Sequence, residues 1–368
     1  MSKAAELAKI GEVATNSQIG GRRNIIINGA MQVAQRGTSV AWASNGYLTL
    51  DRVATVNNST AGRFTMKQTA ITDLPGFANA LELDVTTADT SIAAGEVTTL
   101  QYKIEGQDLQ QLKKGTSSAE KVTLSFYVKA NAARVVVAEL MDGDNTRKIQ
   151  QKFTTTTGWT RHILTFAADT TGALDDDSAE SLQLQLWLHA GSTYTGGTFT
   201  SNTWAATTTA NRAAGIDSLY TSTDNNFFIT GVQLEVGSVA TPFEHRSFGE
   251  ELALCQRYYQ QYGFNSGTNG RVLGAGNGGD TMLSTFGLLD QMRTGPTANY
   301  FGAGTDGANF NVYVHSTTTA GAAPSAFATD GRQIFWNFAG NGSYPNSAYW
   351  IDMGTGSTQF AFTLDSEL

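Results

Sequence analysis

The stretch at 227–263, FFITGVQLEVGSVATPFEHRSFGEELALCQRYYQQYG, changes character half-way along. Its first part reads as a strand, with Phe228, Val232, Leu234 and Val236 on one face and Gln233 and Glu235 on the other. Gly237-Ser238 ends the alternation, and Pro242 holds Thr241 extended. Ser247-Phe248-Gly249-Glu250 then has the spacing of a capping box, so a helix is expected over 247–263. Its apolar residues fall into two stripes: Leu252, Cys255, Tyr259 and Tyr262, then Leu254 and Tyr258. One stripe suffices to dock a helix on one body, so two imply a second partner. The expectation is a linking helix with Leu252, Leu254, Tyr258 and Tyr259 at an oligomer contact.

The same alternation recurs upstream. NIIING (24–29) reads as a strand closed by an Asn-Gly turn. RFTMKQT points Phe64 and Met66 inward, and ALELDV does so with Leu81, Leu83 and Val85. VTLSFYVKA buries Val122, Leu124, Phe126 and Val128, and SLQLQLWLHA buries Leu182, Leu184, Leu186 and Leu188. ARVVVAELM and RKIQQKF flank a hairpin tip at 142–145, and GWTRHILTFAA adds a strand. Strands with one apolar face each pack as two sheets. The fold class is therefore mainly β: a jelly-roll β-sandwich over 24–246, the linking helix over 247–263 and a small C-terminal β domain over 264–368. At the other end, residues 3–14 have helical spacing, with Leu7 and Ile10 as anchors, and NSQIGGRR reads as a hinge. Segment 1–23 is expected to be a short docking helix and hinge, or equally a frayed tail.

Composition narrows the functions. Of 368 residues 15% are charged and the net charge is −8, with no long basic block; nucleic-acid binding and adhesion to anionic membranes are disfavoured. Cys255 stands alone, which excludes an intrachain disulfide. The first residues hold no apolar run of signal-peptide length, and no stretch approaches a membrane span, so a chain made in the cytoplasm is expected.

No nucleophile elbow, zinc-protease helix, phosphate loop or dinucleotide fingerprint is present. His162, His189, His245 and His315 lack ligand spacing, so no metal or cofactor is expected. Asp175-Asp176-Asp177 reads as a solvated turn before a Ca²⁺ loop, and Asp142 and Asp144 as a hairpin tip. Sugar binding asks for exposed aromatic faces beside amides and carboxylates. On the expected open face of the sandwich, Trp187, Tyr127, Gln183, Gln185 and His189 have that character, as they would in an oligomer interface. Past residue 263, 17 of the 39 glycines separate short aromatic runs, TMLSTFG, ANYFG, NFNVYV, RQIFWNF, SAYWIDMG and TQFAFTL. Loops are expected at GAGNGGD and HSTTTAGAAPS. There Tyr344, foremost in NGSYPN, with Trp336, Tyr349, Trp350, Tyr300 and Tyr313, are the candidates for glycan contact.

Three segments, NIIINGAMQVAQRG (24–37), YLTLDRV (47–53) and ITGVQLEVGSVATPFEHRSFGEELALCQRYYQ (229–260), resemble the carbohydrate-binding-like jelly-roll module of tail fibres and other virion structural proteins of tailed bacteriophages. The N-terminal helix followed by RNIIINGAMQ is similar to structural proteins of marine and cyanobacterial phages. The resemblance spans 24–260 and implies a virion component on the tail or the capsid, often a homotrimer; the missing catalytic motifs make a non-enzymatic role the expectation. Its N-terminal segment would meet other tail or capsid proteins and its distal domain a host surface glycan. Related modules carry Trp where Ala34 and Val53 stand here, which removes two aromatics expected at the sandwich edge. A purely structural role (tail adaptor, nozzle, capsid decoration or head fibre) and a glycan depolymerase are the alternatives.

Overall fold

The computed structural model describes Lys3, 23–264, 270–276, 281–301, 310–314, 317–320, 325–328, 333–339, 348–353 and 360–368. Apart from Lys3, the helix expected over 3–14 lies outside these residues. Two compact units divide the chain, 1–251 with 368 and 252–367. The division falls inside the helix Phe248–Gln256.

The first unit is a jelly-roll β-sandwich of antiparallel sheets. Its strands are β1 (Ser39–Ala41), β2 (Gly46–Tyr47), β3 (Ala54–Asn58), β4 (Arg63–Ala70), β5 (Asn79–Thr87), β6 (Val97–Glu105) and β7 (Val122–Ala130). There follow β8 (Val135–Asp142), β9 (Arg147–Thr154), β10 (Thr160–Phe166), β11 (Glu180–Ala190), β12 (Ala205–Ala206) and β13 (Asn226–Val236). One sheet has the order β1-β4-β5-β13-β7-β10, the other β12-β9-β8-β11-β6-β3-β2. The alternating apolar residues fill the space between them: Phe64, Met66, Leu81, Leu83, Leu124, Phe126, Leu184 and Leu186 are all in the core. Val53 is buried there too, and Ala34 packs against its edge.

Two strand readings need correction. Residues 24–28 form no ladder strand. Asn24 instead lies beside β13, its side chain accepting from Ile26 N and Leu234 N at 3.0 Å each and donating to the Val232 carbonyl. Asn28 takes the left-handed conformation, φ 59°, which asparagine tolerates better than most residues. In β13, Phe228 does not share the face of Val232 and Leu234. Phe227 and Ile229 point into the core before a bulge between Thr230 and Gln233, and Val232 and Leu234 after it. Gly231, φ 62°, takes up that extra residue, and one extra residue exchanges the faces of a strand.

The capping box is present. Ser247 N donates to Glu250 Oε2 at 3.0 Å and Glu250 N to Ser247 Oγ at 3.3 Å. The helix is shorter than expected, however, and stops at Gln256. Tyr258 lies in a turn, its N–H donating to the Cys255 carbonyl at 2.9 Å. Tyr259 and Tyr262 belong to a strand, β14 (Tyr259–Phe264), paired with 360–365. Sheet pairing with a segment about a hundred residues away overrides the helical spacing here, and Tyr suits a strand better than a helix. Tyr258 is 1% exposed and Tyr259 is buried in the single chain, so neither is free for an oligomer contact. Leu252 and Leu254 are half-buried.

The second unit continues with β15 (Gly270–Gly276), β16 (Thr281–Gly287), β17 (Thr297–Phe301), β18 (Phe310–Val314), β19 (Thr317–Ala320), β20 (Ser325–Ala328), β21 (Gln333–Ala339), β22 (Ala348–Met353) and β23 (Phe360–Asp365). They form a three-stranded sheet, β14-β23-β17, and a seven-stranded one, β19-β18-β22-β15-β16-β21-β20. Each of the six aromatic runs contains a strand, while β15 and β19 occupy parts of segments expected to be loops.

Candidate functional site

The two outer faces of the sandwich differ. On the β8/β11/β6 side, alternation sends Gln183, Gln185, Trp187 and His189 away from the core, yet all four are buried. The connection from β11 to β13 returns across part of this face. Trp187, 1% exposed, packs with Val97, Val137, Ala190 and Ala213 and lies 5.3 Å from the Tyr194 ring. Arg212 stacks 4.7 Å from the indole centroid and also grips Glu139, Nε to Oε1 at 3.0 Å. Gln185 donates to Gln183, which donates to Gln101 at 3.1 Å. His189 lies between Glu96 (2.9 Å) and Ser218 (2.8 Å), and burial holds its imidazole below the usual range against the pull of Glu96 and Asp89. The expected open face is therefore a second, smaller core, and Trp187, Gln185 and His189 are not surface groups. Tyr127 is separated from them, because β7 belongs to the opposite sheet.

That opposite face carries the aromatics. Tyr127 and Lys129 point outward from β7, Phe228 from β13 before the bulge, Arg161 from β10 and Trp159 from the residue just before it. All five are half-buried. Lys129 Nζ sits 5.0 Å from the centroids of both Trp159 and Phe228, a distance at which cation and ring attract. Asp73 fixes the pair by accepting from Lys129 at 2.6 Å and from the Trp159 indole at 2.9 Å. The Lys129 bond, then the indole bond, holds the Asp73 carboxyl below its usual range. Beside this group Phe77 meets Phe243 edge-on (5.1 Å) and Tyr127 and His245 at a tilt (5.3 Å each). Arg161 lies 6.0 Å from the Tyr127 ring. Gly231 makes room for this cluster: a Cβ there would stand 2.7 Å from Phe77 Cζ. The result is a cluster of half-buried rings with cations, a carboxylate and an imidazole among them. Such a surface can stack on apolar faces and hydrogen-bond hydroxyls.

Of the sandwich candidates, the sequence reading found Tyr127 on this face. It did not name Trp159, although the run GWTRHILTFAA contains it, and it placed Phe228, which the bulge moved, on the inward face. In the second unit, Tyr313 pairs in register with Trp350, and Tyr349 with Gly274. Trp336 pairs with Ser284 and Ala326, and Tyr300 with Phe362. Four of these candidates thus belong to the seven-stranded sheet and Tyr300 to the three-stranded one. Tyr344 lies outside the described residues. The acid cluster Asp175–Asp177 is exposed and caps its own loop, with Asp177 accepting from Ala179 N at 2.8 Å. Asp142 is committed to Lys114, whose ammonium also meets Asp169 at 3.2 Å and the Gly172 carbonyl at 2.9 Å.

No family model matches this chain, and no curated protein matches it. Solved structures that overlap it include carbohydrate-binding modules. One, described as CBM4 structure and function, is 11% identical, covers 57% of this chain and 97% of its own, and has a TM-score of 0.30. The family 11 module of the Clostridium thermocellum cellulase Lic26A-Cel5E is 12% identical over 60% of this chain and 99% of its own, TM-score 0.26. The CBM22-1–CBM22-2 tandem of Paenibacillus barcinonensis Xyn10C is 11% identical and covers 95% of this chain and 99% of its own, TM-score 0.28. At such scores the overlap carries no argument about what this chain binds.

Proposed function

We propose that this chain is a non-enzymatic virion protein of a tailed phage, a tail fibre that attaches to a host surface glycan as a homotrimer. The observation that carries the binding part is the half-buried aromatic face around Trp159, Phe228 and Tyr127, with Lys129, Asp73 and Arg161 beside the rings. The virion setting and the trimer rest on the resemblance of 24–37, 47–53 and 229–260 to phage modules. Weak binding at each face becomes firm attachment through several copies.

Binding of the full chain to host surface polysaccharide, followed by calorimetry, tests the reading. Trp159→Ala is expected to weaken it roughly fivefold, the worth of one stacked ring at about 1 kcal/mol. Unchanged affinity in Trp159→Ala, Phe228→Ala and Tyr127→Ala together would remove this face from the proposal. A scaffold role without ligand is the second reading; the burial of Trp187, Gln185 and His189 favours it, since it closes the other face.

A further inference from the structure

Three buried side chains meet at the end of the sandwich where the β11–β13 connection is pinned. Asp89 follows β5, Glu96 precedes β6 and His189 is the penultimate residue of β11. They are 7%, 4% and 0% exposed. One donor atom from each lies within 4.8 Å of the others. We propose that Asp89, Glu96 and His189 form a binding site for a divalent transition-metal cation of the Zn²⁺ type.

Four features of the site support this. First, the charges are unbalanced. Two carboxylates are buried together, and among the described residues neither makes an ion pair with a lysine or arginine; Glu96 has only the imidazole. Buried charge without a counter-charge is costly, and a cation supplies it. Second, the donor set of one imidazole nitrogen and two carboxylate oxygens suits Zn²⁺ better than Ca²⁺, which takes six to eight oxygens. Third, the histidine is already oriented from behind. Its Nδ1 lies 2.8 Å from Ser218 Oγ, leaving Nε2 directed at Glu96. Metal-binding imidazoles characteristically use the second nitrogen in this way. On binding, the imidazole proton moves from Nε2 to Nδ1, where Ser218 Oγ accepts it, and the Nε2 lone pair goes to the metal.

Fourth, the site is accessible by a short movement. Asp89 and Glu96 bracket six exposed residues, Thr90–Gly95, so the acids sit directly beneath a surface loop. Donors around a tetrahedral Zn²⁺ with bonds of about 2.1 Å stand about 3.4 Å apart, so closure asks for a shift on the order of 1 Å. Asp89 currently accepts from Thr60 Oγ1 and Ala61 N at 2.7 Å each and Glu96 from Ala93 N at 2.8 Å, contacts that orient both carboxylates.

Calorimetric titration of the full, chelator-stripped chain with ZnCl₂ and, separately, CaCl₂ tests the site. Expected are one Zn²⁺ per chain and a raised thermal midpoint. His189→Gln, which keeps an N–H for Glu96, and Glu96→Gln each weaken binding at least about tenfold. Asp176→Asn, an exposed acid elsewhere, leaves it unchanged. In the wild-type chain, which needs no variant to fold, the His189 ¹⁵N resonances shift on adding Zn²⁺. Absence of saturable Zn²⁺ binding, a Ca²⁺ response in its place, equal binding by the variants, or an unmoved His189 resonance overturns the proposal.

Discussion

Gly231 controls the aromatic face from a single backbone position. Its φ of 62° lets β13 absorb one extra residue, and its missing Cβ leaves space for the rings of Phe77 and Tyr127. Both effects penalise a side chain. Gly231→Ala is expected to lower unfolding stability by about 1–3 kcal/mol, read as a shift in the denaturant midpoint. A midpoint equal to that of the wild type would mean that neither the conformation nor the space matters. The residue types needed for this face were all visible in the chain, but their grouping was not. Trp159 and Asp73 are 86 positions apart and meet through one 2.9 Å hydrogen bond. Likewise, nothing in the local pattern around His189 announces Glu96, 93 positions away.

At the scale of elements, the hairpin of β8 and β9 is tied to the segment after β10 by buried charge. Lys114 sits between Asp142 and Asp169, and Arg147 holds Asp169 through Nε at 2.9 Å. Burial works to raise the Asp169 carboxyl, but Arg147, Thr171 N and Lys114 outweigh it and hold it below the usual range. A carboxyl depressed by folding adds stability above its unfolded pKa, near 3.9, and loses it as pH falls through the lower folded value. Stability of the wild type should therefore drop as pH falls below about 4, and less steeply in Asp169→Asn. Parallel pH curves for the two proteins would contradict this. The hairpin tip itself was legible, because Asp142-Gly143-Asp144-Asn145 between strand runs leaves few alternatives. The helix end was not. Tyr258, Tyr259 and Tyr262 satisfy a helical spacing, and the partner strand that recruits Tyr259 and Tyr262 lies at the far end of the sequence.

For the whole molecule, the burial of Tyr258 and Tyr259 takes away half of the contact expected between copies. Phe248, 57% exposed at the start of the helix, and half-buried Leu252 and Leu254 are the apolar groups left there. Sedimentation equilibrium of the full chain should still return three times the monomer mass if the phage resemblance extends to assembly; a stable monomer would set that aside. What the sequence determined alone was the mainly β class, the inward faces of β4, β5, β7 and β11 and the capping box, because period and capping are local properties written within a few residues. Only the tertiary structure decided which outer face is covered, where β13 changes face, and which acids stand beside His189. Those depend on segments that are distant along the chain and adjacent only once the two sheets have closed.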